Sequence, residues 1–257
     1  MTRFSWTTLG TACAVTIAAL TSHGLWRLGI LGVILAAYLT LLGLGVAFIN
    51  LRFFCDSLCR AKTADKRVAL TFDDGPDPIV TPRILDVLRQ HEVGAVFFCI
   101  GKKALARPDL VRRIEAEGHI VGNHSFHHGW WNNFLLGPWL YNEISRCQEA
   151  VYRATGTRPV YFRSPAGLTN MHLPRALRKL KLVSVGWDVR TFDRRARDPQ
   201  SVVNRVRDKV RAGSIIALHD GGVSPDTETA IVAGMITALR SQGYVLLRLD
   251  EMTGIQS

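Results

Sequence analysis

The stretch Val68-Ala-Leu-Thr-Phe-Asp-Asp-Gly-Pro-Asp-Pro78 is a short apolar run that ends in two adjacent carboxylates and a Gly-Pro breaker. Continuous apolar runs are typical of parallel strands buried on both faces. Functional sites of α/β folds lie at the carboxyl ends of such strands. Asp73 and Asp74 can therefore take separate tasks there, one binding a metal ion and the other moving a proton. An ordinary Asp-rich turn after a strand is the alternative interpretation.

Strand-like and helix-like runs alternate from residue 66 onward, without an internal repeat. This alternation predicts a parallel sheet, and about 185 residues suit either a barrel or a doubly wound sheet. We expect seven strands, at residues 68–72, 95–100, 120–123, 160–163, 182–187, 214–218 and 244–249. We expect helices between them, at residues 82–91, 108–117, 139–155, 173–181, 199–211 and 227–241.

Two nearly uncharged apolar runs, residues 6–21 and 28–49, precede the alternating region. The second run has about the 20 residues that a membrane-spanning helix needs. The first is shorter and is also compatible with a half-buried hairpin arm or a signal-like segment. We expect one or two retained membrane helices, arranged as a hairpin that turns at residues 22–27. The predicted organisation is membrane segments at 1–55, a juxtamembrane linker at 56–66 and an α/β domain at 67–252.

Charge and cysteine content restrict the kinds of partner. The 257 residues carry a net charge of +11, and many of the basic side chains lie between residues 190 and 211. This cluster is either a solvated face or a contact for anionic lipid headgroups or an anionic glycan carrier. No groove-reading motif accompanies it, so nucleic acid is not an expected partner. The five cysteines have the spacing of neither a disulfide framework nor a zinc site.

Further chemically active side chains follow the later predicted strands. His124 and His128 form an H-x3-H pair, and two imidazoles plus one carboxylate make a divalent-metal site with open positions for water and substrate. Such a metal ion acidifies water and polarises a carbonyl group. His127 is expected to turn away from the site if its two neighbours turn in. A His-rich surface loop is the alternative. Arg163 can hold a carboxylate through a bidentate pair, and His219 presents an imidazole at the same edge.

Five ordered motifs in this set resemble the polysaccharide deacetylase family, also called the NodB-homology domain or carbohydrate esterase family 4. The resemblance covers about residues 66–250, and together the motifs are specific although each alone is weak. The motifs are Thr71-Phe-Asp-Asp-Gly75, His124-Ser-Phe-His-His128, Arg163-Ser-Pro-Ala-Gly167, the stretch from Trp187 to Asp193, and Leu218-His-Asp220.

The resemblance implies a distorted (β/α)7 barrel, and it implies a role for each matching residue. Asp73 corresponds to the general base, held by Arg163. His219 corresponds to the general acid, oriented by Asp193. The backbone N–H of Ala166 would help to stabilise the oxyanion. The implied metal ligands are Asp74, His124 and His128, and the implied substrate contacts are Leu218, which would line the acyl-methyl pocket, and Trp187.

The chain departs from the family pattern beside the reaction centre. Ala166 stands where an aromatic residue is usual, Arg194 stands where a Trp commonly follows the Asp, and Arg190 replaces a frequent acid. These changes leave the acyl pocket and the glycan open. The aromatic loop at residues 129–136 contains Trp131, which we interpret as a contact for sugar rings or for a bilayer, with packing on the barrel rim as the alternative.

The resemblance predicts a membrane-anchored N-deacetylase of an acetamido sugar in a cell-envelope glycan or a lipid-linked saccharide. The expected cofactor is a divalent metal ion, zinc first, with cobalt, nickel or manganese also compatible. An O-deacetylase or a deformylase of a polyprenyl-linked sugar, and a catalytically silent glycan-binding scaffold, are the alternatives. The location is the cell (inner) membrane. The function favours an extracytoplasmic catalytic domain, whereas basic residues after the second apolar run favour the cytoplasm.

Overall fold

The structure, a computed structural model, describes residues 2–129 and 137–255. The chain begins with two antiparallel helices, α1 (Arg3–Thr21) and α2 (Gly24–Ala47), joined at Ser22 and His23. Both helices are long and apolar enough to cross a membrane, and only Ala18 and Gly45 among their residues are buried. The two predicted apolar helices and the turn between them are therefore present.

Eight parallel strands form the sheet of the α/β domain, which confirms the distorted barrel that the resemblance implied, with one strand more than the seven expected. The strand order is β5-β4-β3-β2-β1-β7-β6, and β8 pairs with the start of β1. The sheet stays open between β5 and β6, which gives the distorted barrel. The strands are β1 (Arg67–Asp73), β2 (Ala95–Cys99), β3 (Ile120–Asn123), β4 (Tyr161–Phe162), β5 (Val183–Ser184), β6 (Val189–Arg190), β7 (Ile215–His219) and β8 (Val245–Leu246).

Helices cover the outer face of the sheet. Six of them match the predicted helices within a few residues, while α4 and α10 were not predicted. Helix α10 occupies part of the expected last strand, because Glu251 accepts a hydrogen bond from the Arg248 backbone N–H and starts a helix there. The helices are α3 (Val80–Gln90), α4 (Gly101–Ala106), α5 (Pro108–Ala116), α6 (Gly137–Thr155), α7 (Leu173–Leu180), α8 (Pro199–Lys209), α9 (Pro225–Ser241) and α10 (Leu249–Thr253).

Side chains along β1 alternate between the two faces of the sheet. Leu70 and Phe72 point outward into the core between the sheet and the helices, and Ala69 packs in a second core inside the barrel. Thr71 and Asp73 share the inward face, and both accept hydrogen bonds from Arg163 inside the barrel. The buried apolar strand thus carries a polar pair toward the barrel interior.

The predicted juxtamembrane linker lies against the barrel. The Leu58 N–H donates to Ser184 O beside β5, and Leu58 O accepts from the Gly186 N–H. On the other side, the Ala61 N–H donates to Gly213 O, just before β7. The expected strand at 182–187 is short for this reason, since Val185 forms a bridge with Leu58 instead of extending β5.

A soluble fragment that begins at Ala64 is expected to be less stable than one that begins at Ser57, because it loses the three backbone hydrogen bonds of residues 58–61. At about 0.5–1.5 kcal/mol for each bond, the free energy of unfolding should fall by about 1.5–4.5 kcal/mol. Urea unfolding of the two fragments measures this difference. Equal free energies of unfolding would contradict the contribution of this segment.

Candidate active site

The polar residues predicted from the strand ends meet in one cavity at the carboxyl edge of the sheet. Asp73 is in register with His219 across β1 and β7, and Asn123, which directly precedes His124, is in register with Phe162 across β3 and β4. The cavity has a volume of about 120 Å³. Its walls include Asp73, Asp74, His124, His128, Ala166, Trp187, Arg190, Arg194, Ala217 and His219.

Asp74, His124 and His128 form a cluster with the geometry of a metal centre. Their ligand atoms all lie within 4.8 Å of one another. The Asp74 Oδ1 atom is 3.0 Å from His128 Nε2 and 3.4 Å from His124 Nε2. His124 donates its Nδ1–H to the Arg163 carbonyl oxygen at 2.8 Å, which leaves the Nε2 lone pair facing the cluster. A hydrogen bond from the ring nitrogen that does not bind the metal commonly orients metal-binding histidines.

The surroundings of Asp74 show that a cation fits at this position. Its Oδ1 atom is buried and accepts no hydrogen bond among the described residues. Burial would raise the pKa of Asp74, but the imidazoles of His124 and His128 outweigh it and hold the pKa well below its ordinary range. A buried carboxylate oxygen facing two imidazole nitrogens is stabilised by a positive charge between them. Two imidazoles and a carboxylate are a donor set that suits zinc.

His127 turns away from the cluster, as the H-x3-H spacing predicted. Its Nδ1 atom is 2.6 Å from Glu143 Oε1, and its backbone N–H donates to Glu143 Oε2 at 3.0 Å. The side chain is half exposed, whereas that of His124 is buried. Three histidines in five residues thus divide into two that face the cavity and one that pairs with α6.

Asp73 is held by a fully buried arginine. Arg163 Nη1 donates to Asp73 Oδ1 at 2.8 Å and lies 2.7 Å from the Thr71 hydroxyl oxygen. Its Nη2 donates to Gly186 O at 2.8 Å, and its guanidinium stacks over the Phe98 ring at 4.3 Å. A buried ion pair with its donors satisfied keeps one geometry. The carboxylate therefore keeps one oxygen on Arg163 while its side chain borders the cavity.

His219 is oriented by Asp193 at the end of β7. The Asp193 Oδ1 atom is 2.8 Å from His219 Nδ1, and its Oδ2 atom accepts the His219 backbone N–H at 2.7 Å. Burial lowers the pKa of His219, but the Asp193 carboxylate outweighs it, so the pKa is raised above its ordinary value. The imidazole is therefore favoured in its protonated form, with Nε2 left to face the cavity.

Glu228 is a site residue that sequence reasoning missed. It lies in the first turn of α9, is buried beneath Asp193, and makes a hydrogen bond to it. Burial, with the charges of Asp193 and Asp220, raises the pKa of Glu228 to about 10. The carboxyl group is then neutral at pH 7 and can donate to Asp193. The sequence holds no signal for this, because an acid in a first helical turn is ordinary.

The remaining predicted positions differ in where they lie. Ala166 and Trp187 border the cavity, and Ala166 is exposed and has a left-handed φ of 55°. Leu218, expected to line the acyl pocket, is fully buried in the outer core, because it alternates with Ala217 and His219 along β7. Trp131 lies outside the described residues.

Arg194 enters the cavity, although the sequence assigned it no role. Its Nη1 donates to Asp74 Oδ2 at 2.8 Å, and its side chain is about half exposed. The guanidinium therefore lies on the second oxygen of the carboxylate whose first oxygen faces the two histidines. Arg194 is the position where a Trp was expected, so the departure brings a cation to the cavity mouth.

Removal of one cluster residue is expected to remove the metal. His124→Ala should weaken zinc binding by more than the roughly 10–100-fold lost when an outer-shell partner is removed. Titration of zinc into the chelator-treated full-length protein measures this, and His127→Ala is the matched control because His127 pairs with Glu143. Equal loss in both variants would contradict the assignment.

Glu228→Gln is expected to stabilise the protein relative to the wild type, increasingly as the pH rises. The pKa of Glu228 is raised from 4.5 to about 10, so its contribution is fully present below pH 4.5 and is lost as the pH rises toward 10. Glutamine keeps the hydrogen-bond donor without this titration. Melting temperatures from pH 5 to 9 test it, and parallel curves for the two proteins would refute it.

Known proteins share these features. Residues 60–185 match the family described as polysaccharide deacetylase. A peptidoglycan-N-acetylglucosamine deacetylase of Listeria monocytogenes is 37% identical over 195 residues, covering 76% of this chain but only 40% of the relative. A peptidoglycan-N-acetylglucosamine deacetylase of Bacillus cereus is 34% identical over 190 residues, covering 73% of this chain and 88% of the relative. Other relatives are named chitooligosaccharide or peptidoglycan-N-acetylmuramic acid deacetylases.

Solved structures agree with the sequence matches. A CE4 family pseudoenzyme from Bacillus anthracis superposes with a TM-score of 0.71 at 26% identity, covering 77% of this chain and 68% of that one. The fold is therefore shared with a protein described as inactive as well as with deacetylases. The extent of the matches nevertheless identifies the family that the five motifs indicated: the chain belongs to the polysaccharide deacetylases of carbohydrate esterase family 4.

Proposed function

We propose that this protein is a metal-dependent N-deacetylase that hydrolyses the acetamido group of an amino sugar and releases acetate. The observation that carries the proposal is the single cavity in which Asp73, His219 and the cluster of Asp74, His124 and His128 meet. A separate base, a separate acid and a cation site at one rim are what hydrolysis of an amide requires.

Asp73 is proposed as the general base. One of its oxygens accepts from Arg163, and the other is left to take a proton from the attacking water. The guanidinium keeps the carboxylate in place and balances its charge inside the barrel. Arg163 therefore acts through Asp73 and has a positioning role.

His219 is proposed as the general acid that protonates the leaving amine. Asp193 accepts the Nδ1–H, so that in the protonated imidazole the second proton is on Nε2 and faces the cavity. The raised pKa keeps this proton available near neutral pH. Neutral Glu228 supports Asp193 from below without adding a second negative charge.

The cluster of Asp74, His124 and His128 is proposed to hold a divalent ion, zinc first by its donor set. Such an ion supplies Lewis acidity, which polarises the amide carbonyl and acidifies water. The backbone N–H of Ala166, a residue at the wall of the cavity, is proposed to donate to the developing oxyanion. Trp187 is proposed as a wall that contacts the substrate.

The substrate class is proposed from the relatives and the cavity. The named relatives act on peptidoglycan N-acetylglucosamine, peptidoglycan N-acetylmuramic acid or chitooligosaccharides. N-acetylated sugars of a cell-envelope glycan or of a lipid-linked saccharide are the corresponding candidates here. The small side chains of Ala166 and Ala217 leave the acyl group unspecified, so a formyl group is the second candidate.

We propose that α1 and α2 are a retained membrane hairpin. A cleaved signal would not be built into the domain, yet the Thr169 hydroxyl donates to Gly45 O, and the Thr169 N–H donates to Val46 O. The Phe4 N–H donates to Phe53 O, so the start of α1 and the end of α2 lie together. The proposed division is then membrane segments at 1–55, a packed connection at 56–66 and a catalytic domain at 67–252.

Acetate release by the zinc-loaded full-length protein in detergent tests the proposed function. N-acetylglucosamine oligomers and peptidoglycan are the substrates, and formate release from N-formyl sugars is followed beside them. Asp73→Asn and His219→Gln should each lower kcat by about 10²–10⁴-fold, the usual contribution of a general acid or base. Both variants should keep their bound zinc.

His127→Gln is the control for this experiment, because His127 faces Glu143 and not the cavity. Activity that survives a chelator, or an equal loss in His127→Gln, would overturn the proposed site. Release of formate alone would show that the acyl group removed by this protein is formyl and not acetyl. Full metal occupancy without turnover of any substrate would support a catalytically silent scaffold, and the similar Bacillus anthracis protein is described as a pseudoenzyme.

A further inference from the structure

A second cavity adjoins the catalytic one and shares part of its wall. It has a volume of about 320 Å³, and Ala166, Trp187 and Arg190 border both cavities. The Trp187 side chain is part of both walls, and the Arg190 guanidinium lies 5.5 Å from the centre of its ring. A molecule bound at the metal cluster can therefore extend past Trp187 without leaving the protein surface.

The far wall of this second cavity is the end of the proposed membrane hairpin. It is formed by the last residue of α2 and the turn after it, from Ala47 to Asn50. Phe48 and, on the opposite wall, Phe192 are large apolar side chains that are about half exposed. Exposed rings beside a helix of membrane-spanning length are suited to an apolar chain rather than to water.

Two cations border the second cavity without a carboxylate partner. Arg190 lies over the rings of Trp187 and Phe192, and Lys209 projects from the end of α8. Across residues 2–129 and 137–255, neither is within ion-pair distance of an acid. Asp188 also borders this cavity, but its carboxylate accepts two hydrogen bonds from Arg211 and one from Ser214. The cavity therefore offers positive charge that is not neutralised locally.

We propose that the second cavity binds the phosphate and the first part of the lipid of a lipid-linked acetamido sugar, with its N-acetyl group in the catalytic cavity. This inference rests on the proposed deacetylase function and on the proposed membrane insertion of α2. Arg190 and Lys209 contact the phosphate, Trp187 contacts the sugar, and Phe48 and Phe192 contact the lipid.

The chemistry of such a substrate matches the order of these residues. In a glycosyl phosphate of a 2-acetamido sugar, the phosphate is on the carbon next to the one that bears the acetamido group. The anion must then lie close to the reaction centre, and Arg190 is suitably placed because it lines both cavities. Guanidinium and ammonium groups are the side chains that recognise phosphate, and aromatic rings stack on sugars and lipids.

Binding to the full-length protein in detergent tests the proposal, with a chelator present to prevent turnover. The probes are N-acetylglucosamine linked to farnesyl diphosphate and the neutral farnesyl glycoside of the same sugar. Because charge-assisted contacts to phosphate are lost in the neutral probe, we expect the diphosphate probe to bind at least about tenfold more tightly. Arg190→Gln and Lys209→Gln should each reduce that preference by several fold.

Arg207→Gln is the matched control. Arg207 is also on α8, carries the same charge and is exposed, but it pairs with Asp208 and does not border the cavity. This variant should keep the preference for the diphosphate probe. A loss of preference equal to that in Lys209→Gln would show only a general charge effect and would overturn the proposal.

Acetate release from both probes, with zinc present, separates the two levels of inference. Equal binding and equal kcat/KM for the two probes would overturn the lipid-phosphate site and leave the deacetylase function standing. If neither probe releases acetate, the deacetylase function fails for these sugars, and the binding preference still decides the second cavity. Inorganic diphosphate that competes as well as the lipid-linked probe would show a simple anion site and would also overturn the proposal.

Discussion

The buried guanidinium of Arg163 is the interaction on which the site depends. A charge with no exposed surface costs several kcal/mol unless it is paired and hydrogen-bonded. Asp73 supplies the charge, and Thr71 and Gly186 O supply further partners. The backbone oxygen of the same arginine accepts from His124 and sets which imidazole nitrogen faces the cluster. One residue thus orients both groups: its side chain holds the proposed base, and its backbone oxygen holds a proposed metal ligand.

The loops that follow the strands hold the remaining groups in uncommon backbone conformations. Asp74, Ser125, His128, Ala166 and Phe192 all have positive φ, although none is glycine. Such conformations cost on the order of 1–3 kcal/mol each and persist where the surrounding contacts determine them. Asp74, His128 and Ala166 border the cavity, and Phe192 directly precedes Asp193, which orients His219. The fold therefore holds these groups in fixed orientations at a cost in stability, which is typical of a preorganised site.

The segment that follows α2 contributes to this preorganisation. Gly186, whose carbonyl oxygen accepts from Arg163, packs so closely on Cys59 and Ile49 that a Cβ atom added there would lie 2.6 Å from the Cys59 sulfur. Gly186 therefore contacts Arg163 on one side and residues of the segment after α2 on the other. The segment after α2 and the candidate site therefore pack against each other, and the second cavity is bordered by residues of both.

The sequence by itself determined where most strands lie along the chain and which residues follow their ends. It also determined that His124 and His128 face the cavity while His127 turns away. These features depend on local periodicity and on the rule that parallel strands end at one edge. Side-chain alternation along β7 could also have corrected Leu218, because His219 and Leu218 cannot face the same side. Only the tertiary structure decided the burial of Glu228, the contact of Arg194 with Asp74, the break between β5 and β6 and the cavity beside α2. Each arises from contacts between residues far apart in sequence, whose packing no local pattern encodes.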